Sequence, residues 1–282
     1  MMSYDENVCK NLRKKIYLTA ERGGLGHLAS CYSCLEILYV LYKKNILNCT
    51  RENMGSKKRN RLILSKGHAG LALYWVMNEA GLLSGEEIGT FLQPGSHVGG
   101  EPCMRDLPGI EATTGSLGHG LPMGVGMAMA QKMDGLDART YVIIGDGECE
   151  EGSIWEAAMS APAFDLDNLT AILDCNEIQK MTTVEGTIRH TNWREKWESF
   201  GWLVKEVDGH DIAALEEILL AKNETGKPLL LIAHTVKGKG VSIMENNPLW
   251  HFKLPNRKER KVFCAELDIG EEELQNAESI FK

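Results

Sequence analysis

The chain has 282 residues, 43% hydrophobic and 25% charged, a balance suited to a soluble globular protein with one large core or two modest ones. Its formal net charge of −8 argues against a general nucleic-acid binder, and an anionic ligand would need a local cation rather than the field of the whole protein. No run approaches a membrane span, and MMSYDENVCKNLRKK at the start lacks an apolar signal core, so a cytoplasmic protein is expected. The eight cysteines include one closely spaced pair, Cys31 and Cys34. That pair lies in a helical pattern with no second pair nearby, so buried thiols in a reducing compartment are expected rather than a zinc or redox site.

In chain order, the first helical pattern runs from Cys31 to Tyr42 and precedes a short apolar run, Arg61 to Ser65, that reads as a buried strand. A second helix follows Gly67 (HAGLALYWVMNEAG), then a glycine-rich connection over 93–120, then a helix from Leu121 to Lys132. That third helix carries Gly124, Gly126, Ala128 and Ala130, which cost helix propensity and imply close packing, on the sheet or across a subunit interface. Further buried strands are read at Thr140 to Gly145, Leu169 to Cys175, Leu203 to Asp208 and Leu229 to His234, with helices at Trp155 to Ala163 and Ile212 to Ala221. A second glycine-rich connection covers 236–256. Beyond Pro255, the basic residues Arg257, Lys258, Arg260 and Lys261 lead into an acidic segment that reads as a solvated terminal helix. Strands alternating with helices predict an α/β fold: a doubly wound, mostly parallel sheet flanked by helices. It forms a single domain over 1–282 with a helical extension after about residue 256. Ligands of such sheets gather outside the carboxyl ends of the strands, and connections as long as 93–120 and 236–256 are uncommon unless they bind something.

Gly145-Asp146-Gly147-Glu148 ends one of these strands and Asn176 closes the next. A carboxylate and a neutral amide oxygen at neighbouring strand ends suit a magnesium ion that also takes oxygens from a diphosphate, because Mg2+ uses few protein carboxylates. The glycines let the backbone come close to phosphate.

Several segments share their order with the thiamine-diphosphate enzymes, and within them the chain resembles transketolase. These are Gly24-Leu25-Gly26-His27, LSKGHAGLALY (64–74), LPGIEATTGSLGHG (107–120), GDGECEEGSIWEA (145–157), LDCNEIQ (173–179), DGHD (208–211) and TVKGKGVSIMENNPLWH (235–251). The resemblance spans about residues 10 to 256 and covers only the family's diphosphate-binding domain. It implies the N-terminal subunit of a split transketolase, lacking the pyrimidine-binding and C-terminal domains. It implies thiamine diphosphate as cofactor, with Mg2+ as metal and Ca2+ or Mn2+ as substitutes. Asp146, Asn176 and the carbonyl of Ile178 would ligate the metal, and Gly115, Ser116, Leu117, Gly145, Gly147 and Glu148 would line the cofactor. Glu151 would lie near the partner subunit. His27, His68 and His251 match the family's active-site histidines, with His68 and His251 also against the cofactor.

Moving a two-carbon ketol unit requires taking a proton from one sugar hydroxyl and giving one to another. An imidazole near pH 7 can do both, for roughly 10²–10⁴ in rate per well-placed group. The carbanion is the cofactor's business, so the protein's task is orientation and proton management. His210 is assigned a structural role, and His190 and His234 carry no functional case. Two positions depart from the family. Glu101, before Pro102, stands where a histidine is usual, with His97 close enough to replace it if the loop is displaced. A glutamate accepts hydrogen bonds and has an unperturbed pKa about two units below histidine, which makes Glu101 a candidate for altered sugar preference. Leu28-Ala29, after His27, is the second departure and concerns the pocket wall.

The resemblance places the activating glutamate and the substrate-phosphate ligands on the missing pyrimidine-binding domain. The isolated chain is therefore expected to be inactive and to bind cofactor weakly, and an α2β2 heterotetramer with a C-terminal subunit is expected. The donor would be a ketose, expected to be phosphorylated, and the acceptor an aldehyde, with neither nucleic acid nor membrane as partner. Two other readings stand beside this one. The α chain of a 2-oxoacid dehydrogenase is opposed by the segments at 64–74 and 113–120 and by ENNPLWH. A non-catalytic partner that kept the fold predicts lost ligands, yet Asp146, Asn176 and three histidines are present.

Overall fold

A computed structural model describes residues 2–189 and 192–275. His190, which carries no functional case, lies outside the described residues. Five strands, β1 (Arg61–Leu64), β2 (Thr140–Gly145), β3 (Leu169–Cys175), β4 (Leu203–Asp208) and β5 (Leu229–His234), form one sheet in the order β1-β2-β3-β5-β4. Every pairing is parallel. These are the runs expected from sequence, with β1 one residue shorter.

The helices are α1 (Tyr4–Gly23), α2 (Leu28–Ser33), α3 (Leu35–Lys43), α4 (Gly70–Glu79), α5 (Gly85–Gly89) and α6 (Gly120–Met133). They continue with α7 (Gly152–Ala163), α8 (Val184–Thr187), α9 (Trp193–Ser199), α10 (Ile212–Leu220), α11 (Arg257–Glu266) and α12 (Glu271–Gln275). β2 and β3 are buried at every position because helices cover both faces. The two-residue alternation sends Tyr141, Ile143, Ile172 and Leu231 into one core with the side chains of α1, α3, α4 and α10. Val142, Ile144, Leu173, Leu230 and Ile232 face the other core, which α6, α7 and α9 cover.

Two expectations change, and one left open is met in part. The helix expected at Cys31 to Tyr42 starts at Leu28 and breaks at Cys34, so that α2 and α3 are separate. The break leaves the Ser33 hydroxyl donating to Asp174 at 2.7 Å, a bond that ties the helix junction to the end of β3. The terminal helix is not merely solvated: α11 buries Phe263 against Tyr17 of α1 (ring centroids 4.9 Å apart) and Trp250 (5.4 Å). Arg260 pairs with Glu21, so part of the basic patch is consumed internally. The small-residue helix packs within the chain on one side. A Cβ at Gly124 would come within 2.4 Å of Val142 on β2, whereas Gly126 has open space around it. Among the described residues no helix is long and apolar enough to cross a membrane, and all eight cysteines are free.

Candidate active site at the strand ends

β2 and β3 stop in register, Gly145 beside Asp174, so Asp146 and Asn176 emerge at the same edge of the sheet. Both are buried. Asp146 accepts from the backbone N–H groups of Gly147 (2.8 Å) and Glu177 (2.5 Å), and the Asn176 Oδ1 accepts from Ile178 N (3.1 Å). The loop after β3 therefore folds back onto its own side chains and turns the Ile178 carbonyl toward Lys237, whose Nζ donates to it at 2.6 Å.

A cavity of about 200 Å3 opens here, lined among others by Asp146, Asn176, Ile178, Gly145, Gly147 and Leu117. Ser30, His68, His251 and three lysines, Lys66, Lys180 and Lys237, complete its wall. His27, His68 and His251 come together with ring centroids 5.2, 5.3 and 5.5 Å apart. Burial, then Lys237, lowers His27 to about 4 and His251 to about 3. Burial, then Lys66, holds His68 well below its ordinary value. All three imidazoles are neutral at physiological pH, so each can accept a proton as well as donate a hydrogen bond.

Glu148 lines the cavity, but its carboxylate is engaged within the chain: it accepts from Ser65, from Gly118 N at 2.9 Å and from Gly145 N at 3.1 Å. It thereby clamps the ends of β1 and β2 to the loop that carries Gly115, Ser116 and Leu117. Gly67, next to His68, approaches that loop so closely that a Cβ would lie 2.7 Å from Gly115 N. On Gly115 itself (φ +139°) a Cβ would collide with the Glu101 carboxylate. Glu101 thus rests on the same glycine that His68's neighbour touches from another side. His97 does not take its place. Its ring is 74% exposed and sits 3.7 Å from Asp106. Ser116 and Glu151 are exposed. Leu28 and Ala29 are wholly buried, with Ala29 O accepting from Gly238 N at 3.0 Å, so they brace the wall from behind.

Sequence reasoning misses the lysines and their counter-ion. Lys66 and Asp174 form a buried ion pair, and Asp174 also accepts from Ser33 and Thr235. Burial opposes both charges, yet each overrides it for the other: Lys66 is raised and Asp174 lowered from ordinary values. Lys237 is less well served. Burial, then Lys66, brings it down to about 8, while burial, then Asp174, pushes Asp146 up to about 6. One carboxylate, one amide oxygen and one carbonyl are a hard, sparse donor set that suits Mg2+ sharing its shell with phosphate. The disfavoured Asp146 charge would be relieved by that cation, and the open approach at Gly145 leaves room for a diphosphate. The residues fit a metal-bound thiamine diphosphate.

A parallel sheet with hard oxygen ligands, buried lysines and clustered imidazoles at its carboxyl edge defines a diphosphate-cofactor α/β enzyme domain. Residues 5–253 match the family described as transketolase, thiamine diphosphate binding domain. The chain belongs to the transketolase family and is a thiamine-diphosphate-binding, transketolase-type transferase subunit. It is 40% identical to an apulose-4-phosphate transketolase subunit of Phocaeicola vulgatus, over 93% of each chain. It is 39% identical to a 6-deoxy-6-sulfo-D-fructose transketolase subunit of Clostridium sp., over 87% of this chain and 89% of that one. A mutant transketolase from Pichia stipitis superposes with a TM-score of 0.85 at 28% identity, covering 94% of this chain and 41% of that one. The chain thus spans nearly the whole of the subunit relatives but less than half of the single-chain transketolase.

Proposed function

We propose that this chain is the cofactor-binding half of a two-subunit transketolase. It would assemble with a C-terminal subunit that carries the pyrimidine-binding domain, as an α2β2 heterotetramer in the cytoplasm. The donor would be a ketose with an anionic terminal group and the acceptor an aldehyde. Support for the anionic donor comes from the relatives, one named for a sugar phosphate and one for a sulfo sugar. Asp146, Asn176 and the Ile178 carbonyl would hold Mg2+. Gly115, Ser116, Leu117, Gly145, Gly147 and Glu148 would shape the cofactor's seat, and Lys237 would face the diphosphate. Thiamine diphosphate, when bound, supplies the electron sink for breaking the carbon–carbon bond.

The chain's own work is orientation and proton transfer. His27, His68 and His251, kept neutral by burial, would accept protons from sugar hydroxyls and return them. Each is held by a different segment, so the cluster forms only when the loops at 24–30, 64–70 and 236–251 close on one another. Glu101, beside Gly115, would contact the sugar as a hydrogen-bond acceptor.

The observation that carries this reading is the convergence of the oxygen donors and two neutral imidazoles, His68 and His251, on one cavity at the ends of β2 and β3, with the His27 ring packed against both. The test is reconstitution with a C-terminal transketolase subunit and assay of ketol transfer from sugar-phosphate donors. Transfer is expected from the pair and not from the purified chain. Appreciable turnover by the chain alone would overturn the two-subunit reading.

A further inference from the structure

Three lysines line the cavity, and they are not equivalent. Lys66 is paired with Asp174, and Lys237 is buried with its Nζ on the Ile178 carbonyl and 3.3 Å from His251 Nδ1. Lys180 is exposed and, among the described residues, has no acidic partner. It sits at the tip of a tight turn after β3. Gln179 N donates to Thr182 O at 2.8 Å, Ile178 bridges Thr183, and Val184 N donates to Glu177 O at 2.9 Å.

The base of that turn is bolted to the oxygen donors, through Glu177 N on Asp146 and Ile178 N on Asn176. Its flank is held by Gln179, which donates to Glu150 at 2.5 Å and packs over Gly147. An unpaired cation is therefore presented by a fixed turn, not by a loose loop. It lines the same cavity as His68 and His251, and its charge bears on His27 and His251.

Charge balance says what such a group is for. With Asp146 and a divalent metal in place, Lys237 offsets only part of a diphosphate, since its one terminal phosphate alone carries roughly −1.5 to −2 at neutral pH and the inner phosphate adds to it. The overall charge of −8 adds no help from a distance. We propose that Lys180 is a phosphate-binding residue at the mouth of the cavity, contributed by the turn after β3, for a phosphate of the bound cofactor or of the sugar substrate. This rests on the function proposed above and adds a specificity-determining residue to it.

The test uses Lys180→Met, which keeps the alkyl stem, and Lys180→Arg, which keeps the charge. One arm measures binding of inorganic pyrophosphate and of thiamine diphosphate, each with Mg2+, to the full chain by calorimetry. The other measures KM for a phosphorylated ketose and its unphosphorylated counterpart at saturating cofactor, in the enzyme reconstituted with its partner. Lys180→Met is expected to weaken one phosphate ligand by about five- to tenfold, with Lys180→Arg within about twofold of wild type. Loss of pyrophosphate affinity assigns the residue to the cofactor. A raised KM for the phosphorylated sugar alone assigns it to the substrate. If Lys180→Met matches wild type in both arms, or Lys180→Arg is as damaged as Lys180→Met, the inference is wrong while the cofactor site stands. If the wild-type chain binds neither diphosphate and the pair transfers nothing, the functional reading fails and takes this inference with it.

Discussion

Two clusters of buried charge lie beside the same sheet, and they differ in how far the chain satisfies them. In the first, Glu36 of α3 takes Arg13 of α1 at 2.7 Å and His210 Nδ1 at 2.9 Å. His210 Nε2 accepts from Val236 N at 2.8 Å, which fixes the ring as the neutral Nδ1–H tautomer, and Arg13 also donates to Tyr32 O. Burial would raise the Glu36 pKa, but Arg13 and His210 overcome it and hold the carboxyl below its ordinary range. In the second cluster, Asp146 is pushed up and Lys237 down, so a carboxylate and an ammonium in one cavity both lose charge stability. Buried charge by itself therefore does not mark the site. Charge left under-compensated beside an open cavity does, because a metal and a diphosphate would supply what is missing.

Breaking the satisfied cluster should have the largest effect, and it should fall on stability. Glu36→Gln keeps the shape but leaves Arg13 buried without a counter-charge, a change worth about 3–5 kcal/mol. Denaturant unfolding should show that loss, with cofactor affinity of the folded protein within about twofold of wild type. An unaltered midpoint would mean that the pair is not structural. Asp146→Asn should do the reverse. Binding of Mg2+ with thiamine diphosphate is expected to fall by at least about a hundredfold, above the 10–100-fold range seen for groups that only support metal ligands. The unloaded chain should melt no earlier than wild type, because a carboxylate whose charge is disfavoured has been removed. A chain that loses stability and keeps its affinity would exchange the roles of the two clusters.

Acid should separate the clusters by pH window. His27, His68 and His251 have folded pKa values below 6.5, so between 6.5 and about 4 the unfolded chain binds more protons and stability declines as the pH falls. Glu36 has a folded pKa below 4.5, so its contribution is complete above that value and is lost only as the pH drops further. Replacing the three histidines with Asn is expected to flatten the decline that begins at 6.5, and Glu36→Gln only the part that lies below 4.5. Ring signals of His27, His68 or His251 that titrate near 6.5 in the folded chain would contradict the burial argument.

The inner strands β2, β3 and β5 are legible in the sequence because parallel strands covered on both faces are continuous apolar runs bounded by glycine or polar ends. Strand β4 lies where the sequence predicts it but is an edge strand, not a buried one, with Glu206 and Asp208 exposed. Helix α1 escapes that reading, although Ser3 and Glu6 form a capping box and Cys9, Leu12, Ile16, Tyr17 and Ala20 recur at helical spacing. Lysines and arginines interleaved with that stripe lower its apolar average. Asp146, Asn176 and the three histidines are legible because each sits in a motif of its own. Lys66 and Lys237 also sit inside motifs, LSKGH and TVKGKG, yet nothing local singles them out. Their role depends on Asp174 and Ile178, which are distant in sequence and meet them only in the fold. The signal available is the net charge, which demands a local cation, and a lysine within each glycine-bearing segment that meets the strand ends.

The smallest expected effect belongs to Glu101, which tests whether the cavity's rim tunes the sugar. Its carboxylate lies on Gly115, exposed, and can only accept hydrogen bonds, whereas an imidazole in the same place could also donate. Glu101→His therefore changes which sugar hydroxyl orientation is welcomed at that point without touching the oxygen donors or the three histidines. One hydrogen bond gained or lost is worth about 0.5–1.5 kcal/mol, so the ratio of kcat/KM between two ketose donors should move by roughly three- to tenfold. Affinity for Mg2+ and thiamine diphosphate should stay constant, which separates a change at the sugar from damage to the cofactor's seat. An unchanged ratio would remove Glu101 from the substrate's surroundings and leave sugar preference to the turn that carries Lys180 and to the partner subunit.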